Sequence, residues 1–413
     1  MPDNLNRIHS LYVHVPFCAQ KCSYCAFFSE ASSGELINRY VAALIREMEL
    51  VAADLRPKTI FFGGGTPSLL NLRQWEQILK TMDRLNLLGA EEFTVECNPA
   101  TVSLDKAKLL RDFGVNRISM GVQSLDEKLL DRLGRIHSRE MVFKSFDTLR
   151  AAGFDNVNLD LMFAIPGQTM DIWHATLDEA MAMASEHLSS YEVIYEDDTP
   201  LFAQMQAGEF DVNEDLACDM YEELIERSAA AGFQQYEIAN FARDQKIANC
   251  QLPIEDLRTA DTPASIGNRQ SAIGNSELPS RASRHNVNYW RGGSFYALGP
   301  SATGCVRGVR TKNWSNTQLY CDQLEKGKRA IESTEELPPL RRAGETAAFG
   351  LRMNAGWPFE EFQQTTGHDL RTGWADEIKK LSEQGWGKIE AEGFRLTREG
   401  LRFADTAAEM FLR

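Results

Sequence analysis

The sequence lacks any apolar run that is long enough to cross a membrane. Nowhere in its 413 residues do about 18 apolar residues follow one another. The first ten residues, MPDNLNRIHS, also lack the apolar stretch of a signal peptide. Together these absences predict a cytoplasmic protein.

Positive charge is in short supply as well. The chain has 44 lysines and arginines against 59 aspartates and glutamates, which gives a formal net charge of −15. A general nucleic-acid binder normally carries a basic face, so this balance argues against that class of protein. A local basic pocket for an anionic ligand stays compatible with it.

The cysteines lack the pairing of a disulfide framework. Five of the eight stand alone in the sequence: Cys97, Cys218, Cys250, Cys305 and Cys321. Scattered cysteines in a long chain suit a reducing compartment, where thiols stay free. The other three, Cys18, Cys22 and Cys25, follow the spacing C-x3-C-x2-C.

This cysteine loop predicts an iron–sulfur cluster. Cysteine thiolates hold such clusters, and a [4Fe-4S] centre usually takes four of them. Three thiolates would leave one iron open to a further ligand. Zinc is the alternative, but structural zinc sites normally close four ligands with paired CxxC units, and no second pair exists here.

Apolar runs alternate with segments whose apolar residues recur every three or four positions. This alternation predicts an α/β fold with a parallel sheet and right-handed crossovers. Six repeats favour an incomplete (β/α)6 barrel of the TIM type, with its chemistry at the carboxyl ends of the strands. The predicted strands are 11–15, 59–62, 93–96, 117–121, 157–162 and 188–194. The predicted helices are 37–55, 72–87, 104–113, 141–152, 172–184 and 216–231.

Polar and glycine residues gather at the predicted strand ends. The first strand leads into the cysteine loop and the second into GGGTPS at 63–68. The glycines let backbone groups approach a ligand's amino group. Glu96 can accept hydrogen bonds from an amino group or a ribose, and Arg135 can pair with a carboxylate. Such a barrel mouth suits S-adenosylmethionine, which would chelate the open iron.

The chain changes character beyond about residue 200. Residues 251–283 contain no aromatic side chain and repeat Ile-Gly-Asn, which is typical of an exposed, mobile loop. From about Glu336, helices and a short hairpin predict a smaller α+β module similar to a winged helix. Without a basic concentration, a packing or protein-contact role is favoured for it over nucleic-acid binding. We predict three units: a barrel core (1–200), an extension that carries the inserted loop (201–335), and a C-terminal module (336–413).

Several segments together carry a family resemblance. They are LYVHVPFC at 11–18, FFGGGTPS at 61–68, NRISMGVQS at 116–124, GFDNVNLDLMF at 153–163 and YEIANFA at 236–242. With the cysteine loop, they resemble the radical S-adenosylmethionine superfamily. Within it they resemble the branch that contains oxygen-independent coproporphyrinogen III dehydrogenase (HemN) and its relative HemW. The resemblance covers nearly the whole chain.

The resemblance implies roles for individual residues. Cys18, Cys22 and Cys25 would bind a [4Fe-4S] cluster near His14, and the cluster would reduce the sulfonium of S-adenosylmethionine by one electron. The residues implied to contact S-adenosylmethionine are Tyr12, Tyr24, Gly64, Gly65, Thr66 and Glu96. Gln123, Arg135 and Asp160 would line the same cavity, where this branch is proposed to bind a second such molecule. No residue is assigned as catalytic.

Three features favour the HemW-like branch. HemN-type enzymes have a fourth cysteine where this chain has Phe27, and a long N-terminal arm, whereas 11 residues precede Tyr12 here. HemW-like proteins carry an H-N-x-x-Y-W motif, which stands here as His285, Asn286, Tyr289 and Trp290. Removing residues 251–283 would join Cys250 to this motif, as in relatives.

The resemblance implies a haem chaperone, which binds haem and passes it to acceptor haemoproteins. His285 is the candidate haem ligand, with Tyr289 and Trp290 against the porphyrin face. The alternative is a radical enzyme that acts on a tetrapyrrole, either the coproporphyrinogen dehydrogenase or a haem-modifying methyltransferase. Covalent attachment of haem, contact with membrane haemoproteins and formation of a homodimer stay open.

Overall fold

One large sheet organises the fold. The structure is a computed structural model, and it describes residues 7–31, 33–244 and 278–413. Nine strands form the sheet in the order β7-β8-β6-β5-β4-β3-β2-β1-β9, and β1 to β6 run parallel. Among the described residues β7 and β9 do not pair with each other, so the barrel is incomplete. The predicted fold class is confirmed.

The strands of this sheet are β1 (Ile8–Val15), β2 (Leu55–Gly64), β3 (Glu92–Cys97), β4 (Arg117–Gln123), β5 (Val157–Phe163), β6 (His187–Glu192), β7 (Gln234–Glu237), β8 (Asn240–Ala242) and β9 (Tyr296–Leu298). The helices that accompany them are α1 (Gly34–Val51), α2 (Leu72–Arg84), α3 (Leu104–Asp112), α4 (Glu127–Arg132), α5 (Arg139–Ala151), α6 (Met170–Ala182), α7 (Pro200–Gln206), α8 (Glu214–Ala230) and α9 (Arg284–Trp290). The short helices α4 and α7 escaped the sequence analysis, since neither is long enough to show a clear period.

Helix α2 illustrates how the crossovers are specified. The Asn71 side chain accepts a hydrogen bond from the Gln74 backbone N–H at 3.0 Å, and the Gln74 side chain accepts one from Asn71 at 2.9 Å. This capping box fixes where the helix begins. Its apolar face is buried, with Trp75 packed 5.1 Å from Phe62 of β2 between ring centroids. The outward-facing strand residues therefore form the apolar core with the helices.

The inward-facing strand residues are polar. Successive strand side chains point to opposite faces, so residues two apart share the barrel interior. Buried examples are Thr59, Glu92, Arg117, Asn158 and His187. A polar chamber of about 260 Å³ lies among these strands. The interior is thus suited to polar ligands.

The sequence at 235–242, QYEIANFA, has a strand-like pattern that predicts one strand, and this prediction is wrong in its detail. The segment QYEIANFA folds as a hairpin, in which β7 pairs antiparallel with β8 around Ile238 and Ala239. The buried carboxylate of Glu237 accepts hydrogen bonds from the Ala239 backbone and the Asn240 amide at 2.8 and 2.5 Å. These contacts stabilise a turn that the apolar pattern does not reveal.

A second small sheet follows the barrel. Its strand order is β10-β11-β12, with β10 (Thr303–Val306), β11 (Val309–Asn313) and β12 (Ile331–Glu336). Along the chain, helix α10 (Thr317–Glu325) comes between β11 and β12. Residues 251–277 of the predicted mobile loop lie outside the described residues. At the end of that loop, Ala282 and Ser283 are buried.

The C-terminal unit has its own core. It contains α11 (Pro339–Gly350), β13 (Trp357–Pro358), α12 (Phe359–Thr366), α13 (Leu370–Gly373), α14 (Ala375–Glu383), β14 (Gly387–Ile389), β15 (Gly393–Leu396), α15 (Arg398–Arg402) and α16 (Ala404–Glu409). Phe362 packs edge-on between Trp357 and Trp374, with ring centroids 5.2 and 5.7 Å apart. The exact boundaries of the three units stay a prediction.

Taken over the described residues, no helix combines the length and apolar character that a membrane crossing requires.

Candidate functional site

A cavity of about 530 Å³ opens at the carboxyl ends of the parallel strands. Most of the predicted site residues line it, namely Cys18, Cys22, Tyr24, Cys25, Gly64, Gly65, Thr66, Glu96, Gln123, Arg135 and Asp160. Tyr12 and His285 do not line it. We call this space the cysteine cavity.

The cysteine loop is held firmly at its base and at its tip. At the base, the Cys18 backbone N–H donates to the Glu30 carbonyl and the Glu30 N–H donates to the Pro16 carbonyl. Phe17 packs edge-on against Tyr40 of α1, with the ring centroids 5.2 Å apart. At the tip, Ser23 donates a backbone hydrogen bond to the Leu133 carbonyl at 2.9 Å. A loop fixed at both ends can present its thiols without large rearrangement.

The three thiols are free, part-exposed and close to hydrogen-bond donors. Thr66 Oγ1 lies 3.5 Å from Cys18 Sγ, and an Arg135 N–H lies 3.4 Å from Cys22 Sγ. Burial raises the pKa of Cys25, which metal coordination would overcome. Donors to sulfur are features that tune iron–sulfur clusters.

The placement of the three thiols is compatible with a cluster. Within the described parts of the chain, no three histidine, cysteine, aspartate or glutamate side chains converge on a point that a single ion would occupy. In a cluster each thiolate binds a different iron, so the sulfur atoms need not share one ion. Zinc, the alternative from the sequence, needs convergent ligands.

The three glycines at the end of β2, Gly63 to Gly65, are required by close packing. A Cβ at Gly64, where φ is +104°, would overlap the His14 ring. A Cβ at Gly65 would lie 2.7 Å from the Phe17 carbonyl, and one at Gly63 would lie 3.0 Å from the Glu96 carboxylate. Glycine thus lets β2 end against the cysteine loop and against Glu96, in addition to opening space for a ligand.

Two carboxylates face the cysteine cavity. The strand register sets Glu96 opposite Ser119 and Asp160 opposite Gly121. Burial, reinforced by the charge of Asp160, raises the pKa of Glu96 to about 8. Burial also raises the pKa of Asp160, although hydrogen bonds from Ser119 and Asn158 at 3.1 and 2.7 Å oppose the change. A cationic ligand would relieve this repulsion.

Arg135 is already engaged on two sides. It donates to the Gly121 carbonyl at 2.7 Å and contacts Cys22, while its buried Nε has no hydrogen-bond partner among the described residues. Its position therefore links β4 to the cysteine loop. Gln123 ends the same strand with φ of +65°, in the left-handed region that is strained for residues other than glycine.

Tyr12 lies deeper, beside the polar chamber. Its hydroxyl donates to His14 Nδ1 at 3.1 Å, and His14 Nε2 donates to the Phe28 carbonyl at 2.9 Å. Burial lowers the pKa of His14 and so keeps the ring neutral. This chain of contacts ties Tyr12 to the far end of the cysteine loop.

His285 occupies the opposite end of the barrel. It is 8% exposed, its Nδ1 lies 3.1 Å from Thr59 Oγ1, and burial lowers its pKa to about 4. Trp290 is also 8% exposed and packs in a small core, whereas Tyr289 is 42% exposed. The H-N-x-x-Y-W residues are therefore divided between the barrel interior and the surface.

Some residues of the site escaped the sequence analysis. Arg117 is 2% exposed and lines the polar chamber, and no group in the described part of the chain forms a hydrogen bond with its Nε. Tyr191 lines both spaces. Alternate residues of a strand share a face. Counting back in twos from Gly121 on β4 reaches Arg117, and counting forward from Ser189 on β6 reaches Tyr191.

Comparison with known proteins supplies the family. The Radical SAM superfamily model matches residues 12–180, and the HemN C-terminal domain model matches residues 337–403. The chain is 31% identical over 410 residues to a protein of Lactococcus lactis subsp. lactis (strain IL1403) named Heme chaperone HemW, across 99% of this chain and 98% of that one. A protein of the same name from Bacillus subtilis (strain 168) is 32% identical over 412 residues, across 98% and 99%.

A solved structure shares the fold. Coproporphyrinogen III oxidase (HemN) from Escherichia coli superposes with a TM-score of 0.77 at 20% identity, across 99% of this chain and 91% of that one. At this level of identity the likeness concerns the fold alone.

Proposed function

Because the chain belongs to the HemW family of the radical SAM superfamily, we propose that it is a haem chaperone, which binds haem and passes it to acceptor haemoproteins. It would carry a [4Fe-4S] cluster on Cys18, Cys22 and Cys25, and exchangeable S-adenosylmethionine in the cysteine cavity. The observation that carries the proposal is the near full-length similarity to proteins named as haem chaperones.

The cofactors are supported by the donor set of the cysteine cavity. Three free thiols, a hydroxyl near Cys18 and a guanidinium near Cys22 suit a cluster with one iron left open. When bound, the cluster would supply one electron to the sulfonium of S-adenosylmethionine.

The chain's own residues would bind and orient the second cofactor. Glu96 and Asp160 provide negative charge for the sulfonium and the amino group, and Glu96 would lose its proton as the cation binds. Gly64 and Gly65 bring backbone groups to the same wall of the cavity.

The test is anaerobic reconstitution followed by haem titration of the full chain. We expect cluster absorption in the wild type, its loss in Cys18→Ala, and a Soret shift when haem is added. Cys218→Ala is the matched control, because Cys218 is also part-exposed but lies on α8.

Two results would overturn the proposal. One is the absence of any haem-dependent Soret shift in the reconstituted wild type. The other is conversion of coproporphyrinogen to protoporphyrinogen, which would make the chain a radical enzyme that acts on a tetrapyrrole. A Cys18→Ala protein with full iron content would refute the cluster assignment.

A further inference from the structure

A buried arginine without a counterion lies inside the barrel. Arg117, on β4, is 2% exposed, and its side chain lines the polar chamber. Among the described residues, no group forms an ion pair or a hydrogen bond with its guanidinium. A full charge that is buried and unpaired is strongly destabilising, because it has lost its water and has no partner in exchange. The arrangement therefore points to an anion from outside the chain.

Arg117 is the only cation available to that anion among the described residues that line the polar chamber. Two buried histidines lie near enough to respond to its charge. Burial lowers the pKa of His187 and of His285, and the charge of Arg117 lowers it further. Both rings are therefore neutral near pH 7, and the anion would pair with Arg117.

The rest of the lining favours a carboxylate over a phosphate. Glu96 and Asp160 face the same chamber, so a phosphate with nearly two negative charges would be repelled. A carboxylate carries one charge, and its two oxygens match the planar fork of a guanidinium. The hydroxyls of Ser119 and Ser189 and the amide of Asn286 line the same space, and such groups can bind the polar atoms of a small ligand.

The chamber is small and opens onto the cysteine cavity. Its volume of about 260 Å³ is just below the usual range for drug-sized ligands, so it suits a molecule of a few carbon atoms. Gly64, Glu96, Asp160 and Tyr191 line both spaces. A ligand would therefore enter through the cysteine cavity.

We propose that the polar chamber binds a small organic monocarboxylate, whose carboxylate pairs with the guanidinium of Arg117. This inference goes beyond the proposed function and does not depend on it, because the site needs neither haem nor the three thiols. It gives a binding role to a residue of the NRISMGVQS segment, which served above only as a family signature.

The probes are butyrate and butyramide, which share a shape and differ in charge. Calorimetry uses the reconstituted full chain without S-adenosylmethionine, at constant ionic strength. We expect butyrate to bind at about millimolar concentration, and butyramide to bind about tenfold more weakly or worse. Arg117→Gln should weaken butyrate binding by about tenfold or more, because it removes the charge-assisted pair. Arg73→Gln is the matched control, since it removes the same charge from an exposed position on α2.

Three results would overturn the inference. If the wild type binds neither probe, or binds both equally, the chamber holds water only. If Arg117→Gln keeps the wild-type affinity for butyrate, Arg117 is not the partner. Cluster absorption reports whether that variant folds. Arg117→Lys keeps the charge and should still bind butyrate more tightly than butyramide, and equal binding of the two would count against the site.

These outcomes are separate from the test of the proposed function. A chain that shows the haem-dependent Soret shift but does not distinguish butyrate from butyramide would refute the carboxylate site alone. A chain that binds butyrate through Arg117 but shows no Soret shift would refute the chaperone proposal alone.

Discussion

Replacing Glu96 by glutamine tests the electrostatics of the cysteine cavity. The carboxyl has a pKa of about 8 in the folded chain against an ordinary value of 4.5, because it is half-buried and faces Asp160. Between these two pH values the folded protein holds a proton that the unfolded chain has lost. The free energy of unfolding must therefore fall as the pH rises through this window, and become flat above about pH 8.

The size of the effect follows from proton linkage. Between pH 6.5 and pH 8 a carboxyl with these two pKa values lowers the free energy of unfolding by about 1.5 kcal/mol. Solvent in the open cavity reduces this to about 1 kcal/mol. Several buried histidines act in the opposite direction, because the pKa of each is lowered in the fold: His14, His137, His187 and His285.

The histidine contribution cancels when Glu96→Gln is compared with the wild type. The assay is urea unfolding of the cofactor-free protein under reducing conditions, followed by tryptophan fluorescence at pH 6.5, 7.2 and 8. We expect the variant to gain about 1 kcal/mol over the wild type across this range. Glu140→Gln, an exposed residue of α5, should give a constant difference. A constant difference for Glu96→Gln would refute a protonated Glu96.

Three further predictions concern stability and binding. Gly64→Ala should lower the free energy of unfolding by about 2 kcal/mol or more, because the new methyl group overlaps His14 at a positive φ. Gly89 also has a positive φ but has open space around it, so Gly89→Ala should lower the free energy of unfolding by only about 1 kcal/mol in the same urea assay. Ala164 has a φ of +57°, a backbone conformation that glycine adopts more easily. Ala164→Gly should therefore raise the free energy of unfolding by about 0.5 kcal/mol, and a destabilised variant would contradict the strain argument. S-adenosylmethionine should bind the reconstituted wild type more tightly as the pH rises towards 8, because the cation needs ionised Glu96, and calorimetry of Glu96→Gln should show no such rise.

The alternation of apolar segments was sufficient to predict the parallel sheet. Each β–α repeat is specified locally, by strands that are apolar on the helix side and by caps such as Asn71. The cysteine loop and the glycines at the end of β2 could also be found, because each motif is defined by its spacing within a few residues. The turn at Ile238 could not, since the buried Glu237 that stabilises it resembles an ordinary polar residue of a strand.

The sequence by itself therefore determined the fold class, the family and many of the residues around the cysteine cavity. Only the tertiary structure decided where the H-N-x-x-Y-W residues lie, with His285 beside Thr59 and Tyr289 beside Phe349. Those contacts join positions far apart in the chain, and no local period encodes them. The physical reason is that burial and pairing depend on which elements meet across the fold, and a residue's type alone does not specify its neighbour.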